Sequence, residues 1–465
     1  MNKLYKHQLD AINEAKNNKS FAYFMEQGTG KTLTVLEEAR NWDVEKILVI
    51  APKSALLTWC SEVEKWRPDL NASYIKHTKK QKKLIDTSNV FCVNFESAHS
   101  KKGKRLIWDF IKGYKFGLII DEAHFIKSVT ARRSVVCMNL SKLDNCKSVR
   151  LLTGTPTTNG ATDAYNLLRI LENNNWKKRT FYDFKHYFCN IVNKKQFYKD
   201  RSGNVKNRVI EVIDGFKNLS ELAEELKKHS FRVLKKDCLN LPEKIYSKRI
   251  IEMPAATRKV YNELKKDLLT FIGNSEVSVN NALTKFLRLQ QICSGYVVDD
   301  EDILLEMKEN PKLEALKEEL EDGEKCIVFC KFTHEIEVIE KMLKKEKIKS
   351  VKISGSVKLE DRGKAVESFQ NDESVQVFIG QVDAASTNLT LTEAKKEIYY
   401  SNGLNLATRL QSEDRAHRIG LKNNLSIIDF ITKDSVEERI LELLLTKADV
   451  AAIIASDSLK IKELI

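Results

Sequence analysis

The sequence predicts an α/β fold that is built from two parallel-sheet lobes. Short apolar runs of strand length alternate with helical patterns from residue 21 to residue 152. The same alternation resumes at residue 325 and continues to residue 431. Residues 160–240 interrupt this alternation, and residues 243–295 show a helical pattern. Buried strands that alternate with helices are typical of parallel sheets with crossover helices.

The interruption divides the chain into two expected lobes. The N-terminal lobe is expected at residues 1–236 and includes a protrusion at about 160–236. The C-terminal lobe is expected at residues 237–465 and includes the helical region at about 243–298. A chain of 465 residues is long enough for two or three domains with large cores.

Charge and cysteine content narrow the class of protein. The formal net charge is +13, which favours a polyanionic partner, and nucleic acid before a membrane surface. The alternative is an AT-rich coding bias, since Lys and Asn are both abundant. No apolar run approaches membrane-spanning length, and no signal peptide is apparent. None of the nine cysteines forms a Cys-x-x-Cys pair, and Cys326 and Cys330 flank an apolar strand, so core packing is expected in a reduced, cytoplasmic protein.

A glycine-rich loop follows the first predicted strand. Residues 25–32 read Met-Glu-Gln-Gly-Thr-Gly-Lys-Thr and precede a helical pattern. In this arrangement the glycines let backbone N–H groups approach phosphates, the lysine contacts the β- and γ-phosphates, and the last hydroxyl reaches Mg²⁺. The strict pattern has glycine where Met25 stands, and an unliganded turn is the alternative. The predicted nucleotide-binding residues are Gly28, Thr29, Gly30, Lys31 and Thr32.

Polar residues follow several other predicted strands. Lys53, Thr58 and Trp59 come after the strand at residues 46–52, and Thr155 follows the strand at 149–152. Ligands of open parallel sheets gather at the carboxyl ends of strands. Hydroxyl groups there can contact phosphates, although residues 153–156 could equally form a simple turn.

Two carboxylates leave a fully apolar strand at Asp121 and Glu122. Carboxylates in such a place are costly unless they serve a cation or a reaction. Asp121 is predicted to hold Mg²⁺ together with Thr32, and Glu122 is predicted to orient the attacking water. An acidic helix N-cap is the alternative.

The order of these motifs resembles helicase superfamily two and, within it, the Swi/Snf-type double-stranded DNA translocases. Further stretches that resemble this subgroup are residues 47–59 with Glu62, Trp66 and Pro68, then 239–244, 287–295 and 411–420. The resemblance covers almost the whole chain. It implies two RecA-like parallel-sheet lobes, with helical protrusions between them, that close on ATP while duplex DNA lies across both.

The resemblance also assigns residues outside the glycine loop. Gln8, whose amide can both donate to and accept from an adenine edge, becomes a candidate base contact, although an isolated glutamine is more often a surface residue. Gln411, Arg415 and Arg418 are predicted on one helical face. Gln411 is a candidate nucleotide contact, and the two arginines correspond to arginine fingers. A salt-bridged surface helix is the alternative. The candidate DNA contacts are Lys53, Thr58, Trp59, Thr155, Lys331, Ser386 and Asn388.

Two positions depart from the family pattern. The loop at 383–390 is usually glycine-rich, and here Asn388 stands in place of a glycine. Asparagine tolerates the left-handed conformation, so backbone contacts could persist. Leu421 occupies the position of a usual glutamine.

Residues 176–208 mix aromatic rings with many lysines and arginines. Such interleaving suits a nucleic-acid surface. The equally weighted alternative is a helical protrusion whose rings pack inward while its lysines are solvated. A hairpin turn is predicted at 199–207.

These observations predict a DNA-stimulated ATPase that uses ATP and Mg²⁺ and translocates on duplex DNA, including branched or protein-bound DNA. A protein partner is also expected. The first alternative is a strand-separating helicase that acts on single strands, forks or RNA. The second is a nucleotide-gated scaffold in which ATP only sets lobe closure.

Overall fold

The structure is a computed structural model. Its helices are α1 to α18 and its strands are β1 to β17, numbered along the chain. It describes residues 4–76, 81–157, 160–172, 180–199, 205–273, 279–299, 301, 303–355, 357, 359–382 and 389–455.

Helices and strands alternate through the first half of the chain, in the order α1 (Lys6–Ala15), β1 (Ser20–Met25), α2 (Lys31–Glu38), β2 (Lys46–Ala51), α3 (Leu56–Trp66), β3 (Ala72–Tyr74), α4 (Gln81–Asp86), β4 (Val90–Asn94), α5 (Phe95–His99), α6 (Lys101–Ile111), β5 (Phe116–Asp121), α7 (Arg132–Ser141), β6 (Cys146–Leu152), α8 (Ala164–Leu171), α9 (Phe181–Phe188), β7 (Cys189–Lys199), β8 (Val205–Phe216), α10 (Leu219–Lys227), β9 (Ser230–Val233) and α11 (Lys235–Cys238).

The second half continues with β10 (Lys244–Ile251), α12 (Ala255–Gly273), α13 (Val279–Cys293), β11 (Tyr296–Val298), β12 (Leu304–Glu306), α14 (Pro311–Glu319), β13 (Cys326–Cys330), α15 (Thr333–Lys345), β14 (Ser350–Ile353), α16 (Leu359–Asn371), β15 (Val377–Gln381), β16 (Lys396–Tyr399), α17 (Leu406–Glu413), β17 (Leu425–Thr432) and α18 (Val436–Ala455).

The chain divides into two units. The first comprises Met1–Asn190 and Gly215–Asn240, with the chain end from Lys447, and the second comprises Ile191–Asp214 and Leu241–Thr446. Each unit contains one large sheet whose strands are all parallel, which confirms the predicted α/β fold with two RecA-like parallel-sheet lobes. The lobe boundary at residues 236/237 stays a prediction.

The first sheet has the strand order β3-β4-β2-β5-β6-β1-β9. Its central strands are buried along almost their whole length, as expected for strands that are covered on both faces. Strands β5, β6 and β1 are neighbours, and Leu152 is in register with Asp121 on one side and with Tyr23 on the other. The carboxyl ends of these three strands therefore meet at one edge of the sheet.

The interruption of the α/β pattern that the sequence predicts at 160–240 is shorter in the structure, because β9 is an edge strand of the first sheet. Ser230–Val233 pairs in parallel with Ala22–Met25, and α10 precedes it, so the α/β alternation resumes at residue 219. This strand has only four residues and contains a serine and an arginine, so it lacks the apolar run that a central strand shows.

The protrusion is also not purely helical. After α9, the strands β7 and β8 form a two-stranded sheet of their own, and residues 205–207 of the predicted turn belong to β8. Residues 200–204, where the rest of that turn is predicted, lie outside the described residues. Phe184 and Phe188 are fully buried, whereas Phe181 and Tyr182 are exposed, so the rings of α9 divide between core and surface.

The second sheet has the order β10-β17-β16-β13-β15-β14. The helical region that the sequence predicts from residue 243 begins later in the structure. Lys244–Ile251 forms strand β10, which pairs with the whole of β17, and the first helix begins at Ala255. Most of β10 is exposed at the sheet edge, which explains its mixed polar sequence. The acidic connector at 299–309 contributes β12, which pairs with β11 in a short hairpin.

Both units have extensive apolar cores. The two faces of the second sheet carry separate clusters, and Cys326 and Cys330 pack together in one of them, as predicted. Leu421 is buried in the other cluster, so an apolar side chain at this position serves core packing. Among the described residues, no helix is long and apolar enough to cross a membrane.

Candidate functional site

The glycine loop between β1 and α2 has two left-handed glycines and an internal hydrogen bond from its lysine. Gly28 and Gly30 both have φ of +87°, a left-handed conformation that glycine adopts without steric cost. The Lys31 ammonium donates to the carbonyl oxygens of Met25 at 2.9 Å and of Glu26 at 3.4 Å. Thr32 follows in the first turn of α2. The loop therefore presents the N-terminus of α2 together with one lysine.

Helix α1 covers this loop. The Gln8 side chain is buried, accepts from the Tyr5 N–H at 2.9 Å and donates to the Thr29 carbonyl at 3.4 Å. The His7 ring contacts the same Thr29 carbonyl at 2.9 Å. Gln8 is therefore not a surface residue, and its contact with an adenine base stays a prediction. The position of His7 was not predicted, because a lone histidine beside Gln8 carries no periodic signal.

Gly30 lies directly beneath the Gln8 amide. A Cβ atom at this position would stand 2.2 Å from Gln8 Nε2. Gly113 has a similar φ of +84°, but a Cβ atom there would meet nothing within 4 Å among the described residues. The two glycines thus share a backbone conformation and differ in the space around them.

This difference supports a matched test of the loop. We expect Gly30→Ala to raise the KM for ATP by about tenfold or more, because the new methyl group displaces Gln8 and shifts the loop. Gly113→Ala should leave KM unchanged and cost about 1 kcal/mol of stability from its backbone conformation. Steady-state ATPase kinetics and thermal melts measure both effects. An equal change in KM for the two variants would contradict the expectation.

The two predicted carboxylates lie at the end of β5, two strands from the loop. Trp59 Nε1 donates to Asp121 Oδ2 at 2.8 Å, and the Glu122 backbone N–H donates to Asp121 Oδ1 at 2.9 Å. Burial, and then the neighbouring Glu122 charge, raise the pKa of Asp121 to about 6. A carboxyl group in such a place ionises more readily beside a bound cation.

Trp59 is 2% exposed, which corrects its predicted contact with DNA. Its indole orients the Asp121 carboxylate from the core instead. In the sequence, Trp59 is a tryptophan in a helical segment that follows a strand. This position alone does not show whether the ring lies on the surface or donates a hydrogen bond inside the core. We infer that Trp59 is a positioning residue for Asp121.

A conservative substitution tests this role. We expect Trp59→Phe to raise the Mg²⁺ concentration that half-saturates ATPase activity by about tenfold, because hydrogen-bond partners behind a metal ligand commonly contribute about 10- to 100-fold to affinity. Trp66→Phe is the control, since Trp66 is on the same helix and donates to Glu62 at 2.6 Å. A Mg²⁺ titration of the ATPase rate measures both. Equal shifts in the two variants would rule out a specific role for Trp59.

Glu122 has a left-handed backbone with φ of 49°, a strained conformation for a residue with a side chain. Its Oε2 lies 3.3 Å from His124 Nδ1, and that nitrogen lies 3.5 Å from Thr153 Oγ1 at the end of β6. Gly154 follows, and a Cβ there would be 3.2 Å from the Gln27 N atom of the glycine loop. His124 and Gly154 thus join the three strand ends, and neither role was predicted.

The other candidate DNA contacts differ in exposure and in their hydrogen-bond partners. Lys53 and Thr58 are exposed, near the carboxyl end of β2. The Thr155 N–H donates to Thr153 Oγ1 at 3.1 Å, and the Lys331 ammonium donates to Gln290 Oε1. Ser386 and Asn388 lie outside the described residues.

In the second unit, α17 ends at Glu413, which corrects the prediction that Gln411, Arg415 and Arg418 share one helical face. Gln411 is in the helix, whereas both arginines lie in the turns that follow. Arg415 is buried, and its carbonyl accepts from the Leu391 N–H at 2.9 Å. Arg418 donates to the Leu389 carbonyl at 2.9 Å and to Thr390 Oγ1 at 3.0 Å, and burial lowers its pKa.

A buried ionic network holds α17 on the second sheet. Arg409 donates to Asp429 at 2.5 and 3.1 Å and to Glu413 at 2.8 Å, and its guanidinium lies 3.4 Å from the Tyr399 ring centre. Lys244 on β10 donates to Glu413 at 3.0 Å. These contacts join α17 to strands that are distant in sequence, so no local pattern indicates where the helix ends.

The first unit fits a nucleoside triphosphate with Mg²⁺. Its loop offers left-handed glycines, a helix N-terminus and a lysine, and its neighbouring strand end offers a carboxylate whose ionisation a cation would favour. The described residues contain no group of three or more His, Cys, Asp or Glu side chains that could hold a metal alone. Mg²⁺ in such sites commonly uses one or two carboxylates together with phosphate oxygens.

Comparison with known families gives a match over most of the chain. The SNF2-related domain matches residues 13–296. The chain belongs to the SNF2-related family. The helicase conserved C-terminal domain matches residues 311–420. The two matches identify the paired ATPase domains of helicase superfamily two.

Curated SNF2-related proteins share about a quarter of their residues with the chain. The nuclear protein STH1/NPS1 of Saccharomyces cerevisiae is 27% identical, over 91% of this chain and 32% of its own length. An uncharacterized ATP-dependent helicase, MG018 of Mycoplasma genitalium, is 26% identical, over 95% of this chain and 41% of its own length. The chain therefore spans less than half the length of these relatives.

A solved structure, the Sulfolobus solfataricus SWI2/SNF2 ATPase core in complex with dsDNA, is 22% identical to the chain. It has a TM-score of 0.42 and covers 98% of this chain and 94% of its own.

Proposed function

We propose that this chain hydrolyses ATP in response to duplex DNA and couples hydrolysis to movement along the duplex. The observation that carries the proposal is the meeting of three strand ends in the first unit. The glycine loop after β1, Thr153 after β6 and the carboxylates after β5 lie at one edge of the sheet. This edge combines phosphate-binding groups with acidic groups suited to hydrolysis.

Each group then has a chemical task. Lys31 and the N-terminus of α2 bind the β- and γ-phosphates, and Thr32 and Asp121 hold Mg²⁺, which neutralises phosphate charge when bound. Glu122 orients the attacking water, and its contact with His124 keeps the carboxylate turned toward the neighbouring strand end. The strained backbone of Glu122 is consistent with a residue that is held for function rather than for stability.

Arg415 and Arg418 complete the proposed site when the two lobes close on ATP. Planar, permanently charged guanidinium groups suit the charge that spreads over the γ-phosphate in the transition state. On lobe closure, Arg418 would give up its hydrogen bonds to Leu389 and Thr390 and donate to the γ-phosphate instead. Hydrolysis would then depend on anything that favours closure, including a DNA duplex that contacts both lobes.

Charge and relatives support DNA as the polymer. The net charge of +13 favours a polyanion, and Lys53 and Thr58 are exposed near the strand ends of the first sheet. Relatives that are named as a chromatin-remodeling complex ATPase and as a DNA annealing helicase also support this assignment. Branched or protein-bound duplexes and an additional protein partner fit the same proposal.

The decisive experiment is a steady-state ATPase assay with no nucleic acid, duplex DNA, single-stranded DNA or RNA at one low salt concentration. We expect duplex DNA to raise kcat by about tenfold or more, because DNA binding favours lobe closure. Half-maximal stimulation should require more DNA as salt rises, since each phosphate contact releases counterions. Stimulation only by single strands or RNA would contradict the proposal and favour a strand-separating helicase.

Two further assays separate movement from strand separation. We expect displacement of the third strand from a triplex, with no unwinding of a forked duplex. Lys31→Ala should abolish displacement and retain DNA binding. Fork unwinding without triplex displacement would favour the helicase alternative. Absence of multiple turnover under every condition would favour the nucleotide-gated scaffold.

A further inference from the structure

The first unit carries an open apolar groove between α6 and α7, which we call the α6–α7 groove. Its volume is about 410 Å³, and its lining includes His99, Lys104, Ile107, Trp108, Arg132 and Val135. This volume lies within the range of ligand-binding clefts in proteins, about 300–1,000 Å³. None of these residues takes part in the nucleotide site described above.

The floor and the rim of the groove differ in chemistry. Ile107 is buried in the floor, whereas Trp108 is 52% exposed and Val135 is 44% exposed at the edges. Trp108 and Val135 line the same groove, and both side chains would gain free energy on leaving water. The groove is therefore an apolar surface that a partner could cover.

The charge at the rim has one sign. Lys104 and Arg132 line the groove, and none of the described aspartates or glutamates lines it. Within the part of the chain that the structure describes, neither of these two side chains forms an ion pair. Lys101, Lys102 and Arg105 add exposed positive charge on the same helix, and its one exposed carboxylate, Asp109, lies outside the groove lining. A partner with acidic side chains beside an apolar stripe would complement this rim.

We propose that the α6–α7 groove binds an amphipathic helix of a protein partner, with apolar residues facing Trp108 and acidic residues facing Lys104 and Arg132. The groove lining on α6 runs from Lys104 to Ile111, which is about 12 Å along the helix axis and enough for anchors at i, i+4 and i+7 of a docked helix. DNA would satisfy the cations and leave the apolar floor uncovered. A second copy of this chain would place like charges against each other in a symmetric contact.

The probe is a phage-displayed library of helical peptides of about 18 residues, with apolar residues at helical spacing and either Glu or Lys permitted at the flanking positions. We expect selection on the full chain to enrich Glu over Lys. Selected peptides should bind Trp108→Ala about tenfold more weakly than the wild type in fluorescence anisotropy. The charge-reversed variant Lys104→Glu/Arg132→Glu should instead enrich Lys.

Matched controls keep the result interpretable. Lys101→Glu/Lys102→Glu makes the same change of charge on α6 outside the groove lining, and should still select Glu-rich peptides. Basal ATPase activity should be unchanged in all variants, so failure of the groove and failure of the nucleotide site are distinguishable. Enrichment that does not depend on Trp108, or a preference for Lys on the wild type, would overturn the proposal. So would a dimer in sedimentation equilibrium that Trp108→Ala dissociates.

Discussion

Glu122→Gln is expected to lower the ATPase kcat by about 10²- to 10⁴-fold, because a neutral amide no longer accepts a proton from the attacking water or polarises it. KM for ATP should change little, since the glycine loop and Lys31 still bind the phosphates. Duplex DNA binding should also persist. Single-turnover hydrolysis and filter binding of DNA measure the two properties separately.

The control for this prediction is Glu96→Gln. Glu96 is an exposed carboxylate just beyond β4 in the same sheet, and it accepts from Asn94 Nδ2 at 2.8 Å. Its neutralisation should leave kcat unchanged. Undiminished hydrolysis by Glu122→Gln would remove Glu122 from the proposed site.

Glu122→Gly extends the same test to backbone strain. Glycine adopts the left-handed conformation of residue 122 without steric cost, so the variant should gain about 1 kcal/mol of stability while it loses hydrolysis. A rise in melting temperature together with loss of activity would show that the strain is maintained for function. A fall in melting temperature would show that the Glu122 side chain is needed for stability.

Arg150→Ala is expected to lower the unfolding free energy of the first unit by about 3–5 kcal/mol, because it leaves a buried carboxylate without its cation. Arg150 Nε lies 3.0 and 2.9 Å from the two Glu38 oxygens, and both side chains are almost fully buried. Glu38 also accepts from Tyr23 at 2.6 Å. This network joins α2, which carries the end of the glycine loop, to β1 and β6.

The measurement is urea unfolding followed by tryptophan fluorescence. All five tryptophans of the chain lie between positions 42 and 176, within the sequence range of the first unit. Their emission therefore reports that unit selectively. Trp42 is especially informative, because the Arg150 guanidinium lies 5.4 Å from its ring centre.

Arg40→Ala is the matched control. Arg40 pairs with Glu37, the residue that precedes Glu38, and its side chain is 42% exposed. An exposed pair of this kind contributes about 0–1 kcal/mol. Equal losses of unfolding free energy in Arg40→Ala and Arg150→Ala would contradict the expectation that the buried pair contributes more than the exposed one.

Much of the fold was predictable from local patterns. Central strands of a parallel sheet are buried on both faces, so β1, β2 and β5 read as continuous apolar runs in the sequence. The edge strands β9 and β10 were missed for the converse reason. Their exposed faces admit Ser, Lys and Arg, so they lack the pattern on which strand prediction depends.

Some features of the candidate site were likewise predictable from the sequence, and others were not. The linear sequence was sufficient to identify the residue types that could bind phosphate or a cation, because the glycine loop and the Asp121–Glu122 pair are contiguous and adjoin buried strands. Three features required the folded chain: Trp59 orients Asp121 from the core, Gln8 covers Gly30, and the two arginines after residue 413 leave α17. These features depend on contacts between residues distant in sequence, and a local pattern of hydrophobicity or spacing carries no information about such contacts.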